Sequence, residues 1–184
     1  MAKKILFIIG SFRRNSFNKA LSAKAAEIIG ERASISVLDY KDVPYMDQDL
    51  EADCPAPVAA ARAAVMEADG IWIFTPEYNH SYPGLLKNLL DWLSRPLVAG
   101  DRHSGTAIAG KKVAMSGAGG KFATADCRTR LTELLLQIRA VPMEAPQTGI
   151  ALGAESFKSD SLILTDADAS ALAAQAEAFL EFIA

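Results

Sequence analysis

Cysteine is scarce in this chain: Cys54 and Cys127 are the only two among 184 residues, and they stand far apart. Neither a disulfide framework nor a metal-spaced ligand pair is offered, so no metal site is expected and a reducing compartment fits. Charge of one sign is lacking too. Nineteen Lys plus Arg stand against 22 Asp plus Glu, a formal net charge of -3. That balance removes the electrostatic case for nucleic acid or an anionic membrane and makes a small molecule the expected ligand. Long apolar runs are missing as well. The run Ile5 to Ile9 is far too short to span a bilayer and gives way to a polar loop instead of a cleavage site, so the expected location is the cytoplasm. Two common nucleotide loops are also absent: no G-x-G-x-x-G follows the first apolar run, and Gly120-Lys121 is followed by Phe122 where a P-loop needs Ser or Thr.

What is present is a hydrophobic content of 51%, enough at this length for one substantial core and a single domain over residues 1–184. Ile5 to Ile9 and Ile71 to Thr75 are continuous apolar runs of the kind that strands buried on both faces of a parallel sheet require. Further strands are predicted at Ser34 to Asp39, Lys112 to Ser116 and Ala140 to Ala145. Between them, helical spacing marks Ala20 to Ile29, Pro57 to Ala68, Pro83 to Arg95 and Thr124 to Arg139, with a last stripe from Ala167 nearly to the end. Strands alternating with helices imply an α/β fold, a parallel sheet covered on both faces, because each return connection crosses over as a helix. Five strands suit the flavodoxin-like order 2-1-3-4-5 in a three-layer sandwich. Its switch point lies between strands one and three, and ligands bind there at the strand carboxyl ends.

Three loops fall at that rim. Gly10 to Asn18 (G-S-F-R-R-N-S-F-N) opens the first helix, so its hydroxyls, amides and an arginine gather at a positive helix end suited to phosphate. Ser11 and Ser16 can donate from hydroxyls, Asn18 from its amide, and Arg13 through a charged fork; the plain alternative makes Ser16 an N-cap and the arginines solvated surface. Thr75 to Gly84 (T-P-E-Y-N-H-S-Y-P-G) follows strand three and offers flat walls and hydrogen-bonding groups for a planar heterocycle. Ser116-Gly117-Ala118-Gly119-Gly120 follows strand four and permits close backbone approach.

Taken together these residues resemble the NADPH-dependent FMN reductase family, which includes quinone, chromate and azo-dye reductases. The resemblance rests on Gly10-Ser11-Phe12-Arg13 with Ser16 and Asn18, on Pro76 to Asn88 running on to Asp91-Trp92 and Ser94-Arg95-Pro96, and on Ser116 to Gly120; it thins after about Pro142. Phe12 stands where the family often carries a smaller aliphatic residue. The resemblance implies FMN as cofactor, its phosphate held by Ser11, Arg13, Ser16 and Asn18, and its ring by Pro76, Glu77, Tyr78 and Asn79 with Ser116 and Gly117 on the other side. NADPH or NADH is then the electron donor, and a quinone or other small oxidant (chromate, an azo dye, free flavin) the acceptor.

No side chain is expected to be catalytic, since the flavin carries the hydride chemistry and the protein positions it. Tyr78 and Arg95 are candidates to orient the second substrate, while His80 and His103 read as loop residues before proton donors. Trp72 and Trp92 read as core, and Cys127 as a small buried apolar residue. The helix bearing Leu85, Leu86, Leu89, Leu90, Trp92 and Leu93 has a wide apolar stripe, which points to a homodimer or homotetramer contact, as the resemblance also implies. The rival readings are a flavodoxin-type electron carrier and a flavin redox sensor, neither with its own NAD(P)H turnover.

Overall fold

The computed structural model describes residues 2–184. The apolar runs form β1 (Lys3–Ile9), β2 (Ala33–Val37), β3 (Gly70–Phe74) and β4 (Lys112–Gly119). They pair in parallel in the order β2-β1-β3-β4, and a fifth lane beyond β4 completes the expected 2-1-3-4-5 sheet. Helices α1 (Phe17–Ile29), α2 (Ala56–Glu67), α3 (Gly84–Leu93) and α4 (Ala125–Gln137) are the crossovers. The fifth lane departs from the single strand expected at Ala140 to Ala145. It is two pieces, β5 (Val141–Pro142) beside the start of β4 and β6 (Thr148–Ala151) beside its end. Pro142 and Pro146 lack the N–H a continuous ladder needs, so the chain leaves the sheet between them and returns. A short helix, α5 (Ala154–Ser159), follows without any periodicity to announce it, and α6 (Asp166–Ile183) starts on a capping box between Thr165 and Asp168.

The two faces differ in chemistry. Leu6, Ile8, Ile71, Ile73, Val113 and Met115 meet α2, α3 and α4 in an aliphatic layer. On the other face Phe7, Trp72 and Phe74 pack on one another edge to face or stacked, and Trp72 meets Phe179 of α6 edge to face, beside Leu21 and Ala25 of α1. That second layer also holds a buried polar knot. The Gln175 amide oxygen accepts from the Ser116 hydroxyl at 2.7 Å and from Thr148 N at 2.8 Å, while its nitrogen donates to Met115 O at 2.8 Å. The α3 stripe finds its use inside the chain: Leu86, Leu89, Leu90, Trp92 and Leu93 are all buried, so the surplus expected for a partner is not on that helix.

Candidate functional site

The rim at the carboxyl ends of β1, β3 and β4 is where backbone contacts become unusually close. Gly10 N donates to Phe74 O at 2.7 Å, and a Cβ on Gly10 would lie 2.7 Å from the Thr75 hydroxyl, so only glycine lets the first loop cross strand three. Gly117 is more confined still. Its Cβ would come within 2.4 Å of Thr75 O and 2.3 Å of the Thr124 hydroxyl.

A cavity of about 230 Å³ opens between these loops, lined by Ser11, Arg13, Ser16, Phe17, Asn18, Pro76, Glu77, Tyr78, Ala118, Gly119, Gly120, Leu152 and Phe157. Larger spaces exist elsewhere, notably a surface groove of about 870 Å³ between α1 and residues 159–164. The smaller cavity is the better candidate because it sits at the sheet's switch point and gathers the donors.

Ser16 caps α1: its Oγ accepts from Lys19 N at 3.3 Å, which occupies a lone pair and leaves the hydroxyl proton free to donate. Ser11 does the same more loosely, accepting from Arg13 N at 3.4 Å. Arg13 directs Nη2 to the Asn15 carbonyl and to Asp160 Oδ1, the latter at 2.6 Å, while its plane packs over Phe17 at 5.1 Å. Its Nε and Nη1 have no partner among the described residues, so their N–H groups remain available. Asp160 also accepts from Asn15 Nδ2 at 2.8 Å, and its carboxyl lies below the usual range because Arg13 and Asn15 donate to it.

Asn18 behaves differently from a simple phosphate donor. Its amide clasps residue 118 at both ends, Nδ2 to Ala118 O at 3.0 Å and Ala118 N to Oδ1 at 2.8 Å, and it is buried. It therefore straps α1 to β4, with one amide hydrogen left over. Glu77 is also engaged: its Oε2 accepts from Cys127 N at 2.9 Å and so caps the positive end of α4, whose own N-cap, Thr124, makes no side-chain cap bond. Tyr78 and Ser81 exchange backbone bonds of 2.9 and 3.0 Å around a tight turn in which Asn79 and His80 are both left-handed, with φ of 53° and 59°. Asn79 stands at the turn tip, outside the cavity lining.

Ser116 and Gly117 are not at the cavity. Ser116 is fully buried, accepting from Trp72 Nε1 at 3.0 Å and donating to Gln175, and Gly117 lies beneath Thr124. The strand runs on past Ser116, so its loop begins later and Ala118 to Gly120 form the wall. Leu152 and Phe157 complete it from a stretch with no motif and no period, where only the tertiary fold reveals them. Burial places Trp72 and Trp92 in the core and pushes the Cys127 thiol up to about 11. Arg95 pairs with Glu51, and His103 is exposed in the loop before β4.

The donor set suits a phosphate monoester carrying a planar ring. Two hydroxyl protons, the unpaired Nε and Nη1 N–H groups of Arg13 and the α1 amino end converge, while Glu77 is taken up by α4 and Asp160 by Arg13 and Asn15; the set fits an anion. A volume below the ~300 Å³ of usual ligand pockets holds the polar arm of such a ligand and leaves its remainder to the open rim.

Comparisons with known proteins agree with this geometry. A family model described as NADPH-dependent FMN reductase matches residues 3–155. The quinone reductase of Escherichia coli K12 is 32% identical over 148 residues, covering 78% of this chain and 75% of that protein. A 2-hydroxy-1,4-benzoquinone reductase from a Burkholderia species is 45% identical over 96 residues, a match spanning 52% of each chain and thus about half the relative's length. Among solved structures, the flavoenzyme NAD(P)H:(acceptor) oxidoreductase FerB of Paracoccus denitrificans superposes with a TM-score of 0.86 at 30% identity, over 99% of this chain and 97% of that one.

Proposed function

The chain belongs to the NADPH-dependent FMN reductase family, and from that premise we propose that it is an FMN-dependent NAD(P)H oxidoreductase whose acceptor is a quinone or a similar small oxidant. The observation that carries the reading is the convergence, in one cavity at the switch point, of the α1 phosphate donors with the Pro76–Tyr78 loop. Bound FMN supplies the chemistry, taking hydride from the nicotinamide and passing two electrons on. Ser11 and Ser16 donate to the phosphate through their free hydroxyl protons, and Arg13 through its unpaired Nε and Nη1 N–H groups. Asn18 acts by holding the first loop against β4, and Pro76, Glu77 and Tyr78 form the wall for the ring, with Asn79 at the turn tip beyond it. Glu77, tied to α4, keeps that wall in register with the Gly119–Gly120 backbone.

The whole chain acts in this reading as one FMN-binding domain. The named relatives act on quinones and other acceptors, and an open rim suits an acceptor that alternates with NAD(P)H at one face. No helix among the described residues is long and apolar enough to cross a membrane, in keeping with a cytoplasmic enzyme. A homodimer or homotetramer, as the family resemblance implies, belongs to the same proposal.

The test is direct. The purified protein is expected to be yellow, to release FMN on denaturation and to sustain NAD(P)H oxidation with a benzoquinone. A colourless protein that takes up no FMN on titration overturns the reading, and a yellow one with no steady-state turnover favours an electron carrier.

A further inference from the structure

The strained turn at Asn79-His80 faces a second strained pair across the rim. Ala123 and Thr124, with φ of 48° and 59°, lead into α4, and a side-chain contact links the turn to that helix: His80 Nδ1 lies 2.7 Å from Asp126 Oδ2. The His80 ring also leans on Phe122, centroids 5.8 Å apart, and Glu77 Oε1 is 3.9 Å from Nδ1. One nitrogen of the imidazole is thus committed to carboxylate oxygen. The other, Nε2, has no partner among the described residues, and with 59% of its side chain exposed it is open to solvent and to an incoming molecule. Tyr78, two residues before it, lines the cavity. Neither left-handed non-glycine residue is required to turn a chain at this point; Gly would do so without strain. The turn therefore holds an imidazole in a fixed orientation at the mouth of the site.

We propose that His80, oriented by Asp126, donates the proton needed when a carbonyl acceptor such as a quinone is reduced here, a step that rests on the reductase reading above. Two-electron reduction of a benzoquinone consumes one hydride equivalent, derived from NAD(P)H, and one proton, which NAD(P)H does not supply. The hydride equivalent adds to the acceptor, the Nε2–H bond breaks, a new O–H bond forms on the quinone oxygen, and the N–H electron pair stays on the imidazole. Solvent then reprotonates the exposed Nε2. Asp126 is the positioning residue: by accepting from Nδ1–H it holds that proton in place, so the proton the imidazolium gives up is the one on Nε2 and the neutral ring left behind is the Nδ1–H tautomer. The charged groups around the ring are Glu77 on its own loop, Asp126 on α4 and Lys121, whose Nζ sits 4.8 Å over the Phe122 ring.

Ferricyanide separates this role from a structural one, since it accepts electrons singly and needs no proton. His80→Asn keeps a residue that tolerates the left-handed backbone. It is expected to lower kcat/KM for a benzoquinone about tenfold or more, the lower range for general acid catalysis, while ferricyanide reduction and FMN content stay within twofold. Asp126→Asn should give the same split to a smaller extent. Independently of turnover, 15N NMR of the FMN-free protein should show neutral His80 as the Nδ1–H tautomer, shifting toward Nε2–H in Asp126→Asn. Equal losses with both acceptors, no loss with the quinone, or an Nε2–H tautomer in the parent protein overturns the proposal. A parent protein that reduces neither acceptor overturns the reductase reading and this inference with it.

Discussion

At the amino ends of the strands the surface is closed by ordinary means: Phe179 and Ile183 pack over Gly70, and exposed ion pairs such as Lys4 with Glu67 and Arg32 with Glu177 lie at the edge. The carboxyl ends look different. There Ser16, Asn18, Thr75 and Thr124 are buried, and five of the six left-handed non-glycine residues among the described residues (Asn79, His80, Ala123, Thr124 and Asp160) lie in the loops around them. The sixth, Arg139, ends α4 at the opposite edge. At the carboxyl end the chain keeps strain, free hydroxyl protons and unpaired arginine N–H groups that folding does not need, which marks it as the binding rim.

The sharpest way to break the contrast is to fill the rim's tightest point. Gly117→Ala forces a methyl against Thr75 O and Thr124, and should cost about 3 kcal/mol in urea-induced unfolding, at the upper end for overpacking. Next, Arg13→Ala removes a charged fork that the core does not use. FMN should bind about 10- to 100-fold more weakly by fluorescence titration, the ~1.5–3 kcal/mol of a hydrogen bond to a charged group, with little change in unfolding midpoint. Ser16→Ala mixes the two roles. Loss of the cap should cost about 1 kcal/mol of stability, and loss of the hydroxyl should weaken FMN as well.

The two thiols give a smaller, pH-dependent contrast. Cys127 is buried at the rim with its thiol pushed up to about 11, whereas Cys54 is only half-buried. A thiol raised in the folded state above its ordinary value of 9.0 favours folding fully below about pH 9 and loses that contribution as the pH climbs from 9 toward 11. At pH 8 an alkylating reagent should therefore label Cys54 in the native protein and reach Cys127 only after unfolding, as peptide mass mapping would show. The smallest effect belongs to the amino end. Lys4→Ala should leave both the unfolding midpoint and FMN affinity unchanged, because both partners of that ion pair are exposed; a loss of affinity there would collapse the distinction between the two ends.

Much of this was legible in the residues. The runs at Ile5 and Ile71 and the stripes of the crossover helices follow from periodicity, and the sheet order follows from alternation of strand and helix. The first and third loops were legible as well, because Ser, Arg, Asn, Tyr and Pro in a βα turn have few structural uses. The fourth loop misled by its apparent start. Ser116-Gly117 look like loop, yet the ladder to β6 continues to Gly119, and Ser116 proves to be a core residue held by Trp72 and Gln175. Gln175 itself, polar within a helical stripe, gave no sign of a role, since its three partners lie 27 to 60 residues away. The α3 stripe was wide enough to suggest a partner, but the β2–α2 connection covers it from within, with Trp92 Nε1 donating to Pro44 O at 2.8 Å.

The order of apolar and polar residues alone determined that this chain builds a parallel sheet between two helical layers and that its unusual loops meet at one end of it, because hydrophobic spacing and helix capping act over a few neighbours. Only the tertiary structure decided which groups remain free there. Whether the amide of Asn18 or the hydroxyl of Ser116 is available to a ligand depends on partners about sixty or a hundred residues distant, and no local pattern encodes whether such a hydrogen bond has already been made.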